Sequence, residues 1–183
     1  STGLVGSEMC IRDRVNEEGK EVEEGQIGTI ELKGENIFKG YWGMEEKTKE
    51  SFKDDGFFIT GDLAKKDENG YFTIVGRDKD MIISGGLNVY PKEIEDVINE
   101  LPNITESAVF GVQHDDFGEA VVAAVVTTDN KNDGSQILDY TKDKIAKYKQ
   151  PKKIIFMSNL PRNSMGKVQK NKLRENNKSL FKS

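Results

Sequence analysis

The ten residues "EAVVAAVVTT" (119–128) constrain the fold more than any other stretch of this chain. After Glu119 no charge interrupts them and β-branched side chains dominate. The run is far short of the ~20 apolar residues that a membrane span needs. It reads as a buried strand. Around it, "PKEIEDVINEL" (91–101) opens on Pro91, suited to a first helical turn, and places Ile94, Val97, Ile98 and Leu101 at i, i+3, i+4 and i+7 on one helix face. "ESAVFGVQ" (106–113) and "KKIIFMS" (152–158) read as further strands, and a second amphipathic helix is expected to carry Ile137, Leu138, Ile145 and Tyr148. The tail after Lys170 is expected to be helical, then frayed. The fold class is therefore α+β, with residues 81–183 forming a compact module whose central sheet is flanked by helices.

Residues 15–76 have another character. "GQIGTIELKG" (25–34) sets Ile27, Thr29 and Glu31 against Gly28, Ile30 and Leu32, the alternation of a half-buried strand. "MEEKTKESF" (44–52) suits a short helix. "DGFFITGDLAKKDENGYFTIVGR" (55–77) reads as strand, loop, acidic turn and strand. This is a small β-rich subdomain. The charged, glycine-bearing "GRDKD" (76–80) marks the boundary, with residues 77–80 as a hinge or an ordinary surface turn. The opening "STGLVGSEMCIRDR" (1–14) lacks hydrophobic periodicity and resembles the translation of sequencing-adapter DNA, so it is expected to be a non-native leader.

The 183 residues carry a formal charge of −5 with both signs well mixed, which argues against nucleic acid or a membrane surface as the partner. One cysteine, Cys10, and one histidine, His114, build neither a disulfide framework nor a Cys/His metal cluster. A reducing, cytoplasmic setting is expected.

Several short strings could carry chemistry. In "ITGDL" (59–63), Asp62 follows a glycine that leaves the backbone approachable, and a carboxylate there suits vicinal ribose hydroxyls. Charge-assisted bonds of this kind are worth roughly 1.5–3 kcal/mol each; the plain alternative is a turn aspartate bonding its own backbone. Arg77 offers a planar fork of donors to a ribose or phosphate oxygen, or a surface salt bridge to Asp78 or Asp80. Ser84, Gly85 and Gly86 in "SGGLNVYP" (84–91) form a glycine pair before a helix, where a narrow ligand could lie, or a simple turn; the P-loop spacing is absent. His114 beside Asp115 and Asp116 makes no triad by adjacency. Lys167, after Gly166 in "LPRNSMGKVQK" (160–170), could be delivered to developing negative charge or simply be solvated.

In order, Asp62, Arg77, Lys79, Ser84-Gly85-Gly86 and Lys167, with "GYW" (40–42) upstream, resemble the carboxyl-terminal part of the adenylate-forming (AMP-binding) acyl-CoA synthetases, relatives of luciferases and peptide-synthetase adenylation domains. The resemblance runs through "FFITGDL", "GYFTIVGRDKDMIISGG", "NVYPKEIE" and "LPRNSMGKVQKNKL" and covers residues 15–183. "GGLNVYPKEIE" and "KYKQPKKIIF" are nearest to malonyl-CoA synthetases.

The resemblance implies two half-reactions: a carboxylate attacks the α-phosphate of Mg·ATP to give an acyl-adenylate and pyrophosphate, then coenzyme A displaces AMP. It implies that Asp62 and Arg77 hold the ribose, Lys167 serves adenylation, Lys79 is the hinge, and Ser84, Gly85 and Gly86 line the pantetheine tunnel. Mg2+ is expected to be held mainly by a preceding part that a complete family member carries and this sequence lacks, together with the phosphate loop, adenine pocket and acyl pocket. The chain is thus expected to be a fragment, inactive alone in adenylation. Fatty-acid or aryl-acid ligases, and a non-catalytic nucleotide- or partner-binding module, are the competing expectations.

Overall fold

Along β8 (Gly118–Thr127) successive side chains point to opposite faces, and both faces are filled. Val121, Ala123 and Val125 join Ile82, Val89, Ile94, Ile98, Val109 and Ile137 on one side. Val122 and Ala124 join Ala108, Phe110, Leu160 and Leu173 on the other. The computed structural model describes residues 10–16, 18–128 and 134–182, and divides the chain into two compact units, one ending at Lys79 and one starting at Asp80.

The second unit is built on a five-stranded sheet ordered β6 (Leu87–Val89), β5 (Ile82–Ser84), β8, β7 (Ile104–His114). A fifth strand, β9 (Lys153–Phe156), runs parallel to β8. The helix α2 (Pro91–Ile98) buries Pro91, Ile94 and Ile98 against one face, as its spacing requires, and α3 (Ser135–Lys142) adds Ile137. The helix α4 (Lys170–Asn176) covers the other face with Leu173. The α+β expectation is met. One detail differs: Ile145 and Tyr148 lie outside α3, because the chain leaves the helix at Asp143, buries Ile145 from the following turn, and places Tyr148 in a single 3-10 turn.

The first unit is an antiparallel sheet ordered β1 (Cys10–Val15), β2 (Ile27–Lys33), β3 (Phe58–Lys66), β4 (Phe72–Arg77), with the helix α1 (Glu45–Ser51) beside it. The strand β1 starts inside the stretch set aside as a leader, and its buried Arg14 donates to the Gln26 carbonyl at 2.5 Å. Phe38, Tyr41, Phe52 and Phe58 make edge-to-face and tilted ring contacts between 5.0 and 5.6 Å.

The half-buried strand expected at β2 forms, and its Glu31 is buried to 1% exposure, where the Lys53 ammonium meets it at 2.5 Å. One expectation here is corrected: no loop precedes the acidic turn, because β3 runs through Gly61 and Asp62 to Lys66, the misfit being taken up where residues 60–62 face the single residue Ile30 of β2.

Candidate active site

Because β3 is continuous, Asp62 stands directly across from Arg77 on β4. The Arg77 Nε donates to Asp62 Oδ1 at 2.8 Å, and its Nη1 donates to the Thr60 carbonyl at 2.9 Å. The Asp62 amide in turn donates to Thr60 Oγ1, whose hydroxyl donates to the Ile30 carbonyl at 2.8 Å. The carboxylate is thereby oriented while Oδ2 takes no hydrogen bond among the described residues. The turn-aspartate alternative is excluded by the strand, and so is a pairing of Arg77 with its neighbours Asp78 or Asp80.

Asp80 pairs elsewhere, with Arg174 Nη2 of α4 at 3.1 Å. Arg77 is thus tied to the first unit and Asp80 to the second. Asp78 and Lys79, exposed in a 3-10 turn, lie between these anchors with no side-chain partner among the described residues.

Ser84, Gly85 and Gly86 do not open a helix. Ser84 pairs with Leu87, so the two glycines are the central residues of a tight hairpin joining β5 to β6. Their φ values of 59° and 78° are those that a two-residue turn of this hand demands, which is why both are glycine. The three-residue strand β6 lies between this turn and α2. The hairpin is fixed by the neighbouring β7–β8 turn: Gly85 N–H donates to the Phe117 carbonyl at 2.9 Å, and Ile83 N–H donates to Glu119 Oε2 at 2.8 Å. Just beyond β6, burial pushes the Tyr90 phenol above its usual value, against lowering by Asn88 and Lys149, so it stays neutral.

Lys167 closes a three-residue loop, 164–166, by pairing with Asn163, inside the Arg162–Val168 bridge. The Asn163 amide donates to the Lys167 carbonyl at 2.9 Å and the Gly166 amide to the Asn163 carbonyl at 3.0 Å. Gly166 has a φ of 78°, the left-handed residue that completes such a loop. Asn163 Oδ1 also accepts from the Met165 and Lys167 amides. The glycine therefore serves a required backbone angle in a hydrogen-bonded turn. The Lys167 side chain is exposed and makes no ion pair or hydrogen bond among the described residues.

Three anchors were invisible in the chain's local patterns. Arg162 pairs with Glu106 on β7. Lys170 Nζ lies 2.6 Å from Glu95 Oε1 on α2, which also accepts the Val109 amide of β7 at 2.8 Å. Glu119 holds Ile83, as above. His114 has a structural place: its Nδ1 accepts the Asp116 amide at 3.2 Å and its ring contacts Phe117 and Phe181. Among the described residues no three His, Cys, Asp or Glu side chains are grouped to hold a metal ion, and no helix is long and apolar enough to cross a membrane.

Residues 93–167, ending on Lys167 itself, match the AMP-binding enzyme C-terminal domain. The chain is 41% identical over 167 residues to indoleacetate–CoA ligase of Aromatoleum aromaticum, covering 91% of this chain and 32% of that protein. It is 45% identical over 148 residues to the long-chain-fatty-acid–CoA ligase FadD13 of Mycobacterium tuberculosis, covering 81% and 29%. Among solved structures, ATP-bound MatB from Rhodopseudomonas palustris matches with a TM-score of 0.88 and 56% identity over 95% of this chain and 35% of its own. The chain spans about a third of the length of these relatives. It belongs to the AMP-binding, adenylate-forming acyl-CoA ligase family and carries that family's C-terminal domain.

Proposed function

We propose that this chain is the carboxyl-terminal third of an ATP-dependent acid–thiol ligase that makes an acyl-CoA through an acyl-adenylate, releasing AMP and pyrophosphate. The observation that carries this reading is the state of Lys167: an ammonium without a partner among the described residues, presented by a turn braced through Asn163. Such a group can meet the negative charge that builds on the carboxylate and α-phosphate oxygens during adenylation. Asp62 Oδ2 is free to accept a ribose hydroxyl while Arg77 keeps the carboxylate oriented. Lys79, between the Arg77 and Asp80 anchors, is the joint about which the small domain exchanges a pose that delivers Lys167 for one that offers the Ser84-Gly85-Gly86 hairpin to the pantetheine arm of coenzyme A. Mg2+ enters with ATP.

We take malonate as the acid. The support is 56% identity to MatB, a malonyl-CoA synthetase, against 45% and 41% to the ligases of long-chain fatty acids and indoleacetate. The full-length protein carrying this chain, given ATP and coenzyme A, should form thioester fastest with malonate. A preference for a fatty or aryl acid would move it to another member of the family. Absence of any pyrophosphate–ATP exchange with every acid would turn it into a binding module. The 183-residue chain alone should give no thioester above background.

A further inference from the structure

We propose that Arg162 is a positioning residue for Lys167, and that the lysine-bearing turn is a rigid arm strapped to β7; this rests on the adenylation role given to Lys167 above. The peptide unit joining Gly166 to Lys167 has both of its polar groups engaged. Its N–H donates to Asn163 Oδ1 at 2.9 Å, and its carbonyl accepts from Arg162 Nη1 at 2.6 Å. The other arm of the same guanidinium, Nη2, pairs with Glu106, 56 positions upstream on β7. A planar fork of fixed geometry thus connects the sheet to the one peptide plane that sets the direction of the Lys167 side chain.

Downstream of the lysine a second strap repeats the logic. Lys170 is held by Glu95, and Glu95 is itself fixed to β7 through the Val109 amide. Leu160 and Val168, at either side of the turn, sink into the apolar cluster on the same face as Phe110. An ammonium on a long stem has many rotamers, so a defined reach depends on a defined starting backbone. A misplacement of about 1 Å at a reacting centre can cost on the order of a hundredfold in rate. It follows that movement of Lys167 into and out of a site is carried by the joint at Lys79 and not by this turn.

The test combines two readouts. In the 183-residue chain, Arg162→Gln should raise amide hydrogen exchange at Gly166 and Lys167 about tenfold and leave Phe110 and Val122 unchanged. In the full-length protein, the same change should lower pyrophosphate–ATP exchange about tenfold or more while thioester formation from supplied acyl-adenylate stays the same, with partial recovery in Arg162→Lys. Glu106→Gln should show the same pattern more weakly, and serves if Arg162→Gln fails to fold. Equal loss in both half-reactions would reduce Arg162 to a fold-stabilising group and overturn the proposal, as would unchanged exchange at the turn. If Lys167→Ala leaves adenylation intact, the adenylation reading fails on its own, and the exchange data still decide whether Arg162 fixes the turn.

Discussion

The two charged groups that carry the functional reading are held in opposite ways. Asp62 is tied before any ligand arrives: Arg77 faces it across the β3–β4 ladder, and its backbone leans on Thr60. Lys167 keeps its charge unpartnered among the described residues while the peptide beneath it is tied at both ends. The difference suits the roles proposed for the two groups. Ribose hydroxyls are neutral and permanent, so a carboxylate pre-oriented by a cation serves them with its spare oxygen. Charge on a reacting phosphate is transient, and an ammonium already engaged in an ion pair would have to break it in every cycle.

The comparison is broken most directly at Lys167. Lys167→Ala should lower pyrophosphate–ATP exchange by about 10²–10³-fold, with the urea midpoint of the chain unchanged, because none of the described residues bonds that side chain. A fall in stability would mean that the ammonium is structural after all. Next in size is Asp62→Asn, which removes the charge proposed to meet a ribose hydroxyl. Calorimetric titration of AMP into the full-length protein should show weakening of about tenfold to a hundredfold, matching the loss of one charge-assisted bond. Unchanged affinity would leave Asp62 as a mere partner for Arg77.

How far the sequence discloses these arrangements depends on range. The β8 run and the α2 face are legible because each is set by its own side-chain period, and the matching clusters are where that period puts them. The loop expected at "GDL" is wrong for a local reason. Gly61 and Asp62 favour turns, but pairing with β2 and β4 on both sides overrides the preference and the bulge takes up the misfit. The Ser84-Gly85-Gly86 string does announce a turn. It cannot announce a hairpin, because β6 is three residues long and shows no alternation. The Arg162–Glu106 and Lys170–Glu95 straps leave no trace in spacing at all, since charged residues are abundant and the partners meet only when α2, β7 and the Lys167 turn pack together.

Gly85 and Gly166 sharpen the contrast between holding and delivering. Both sit in the left-handed region, and a Cβ on either would meet nothing within 4 Å. Alanine at either position therefore costs backbone strain alone, about 1–2 kcal/mol in urea unfolding. The effects on the two half-reactions should part. Gly166→Ala tilts the peptide that aims Lys167 and should slow adenylation, whereas Gly85→Ala distorts the hairpin assigned to coenzyme A and should slow thioester formation from supplied acyl-adenylate. Identical profiles for the two variants would show that neither turn is dedicated to one step.

The smallest effect comes from an exposed pair remote from these residues. Glu100, just beyond α2, is bonded by the Lys144 ammonium and accepts from the Tyr140 hydroxyl of α3 at 2.8 Å. The Lys144 bond first, then the Tyr140 bond, hold its carboxyl below its ordinary value of 4.5. A depressed carboxyl contributes stability that is complete above that ordinary value and is lost as pH falls through the lower folded value. The advantage of the native chain over Glu100→Gln in urea midpoint should therefore be level near neutrality and shrink as the pH falls below 4.5. If the gap instead persists into acid, Glu100 acts through packing and its charge contributes nothing. The Asp62–Arg77 pair, also partly exposed, would then need its own pH series before charge could be credited with orienting its carboxylate.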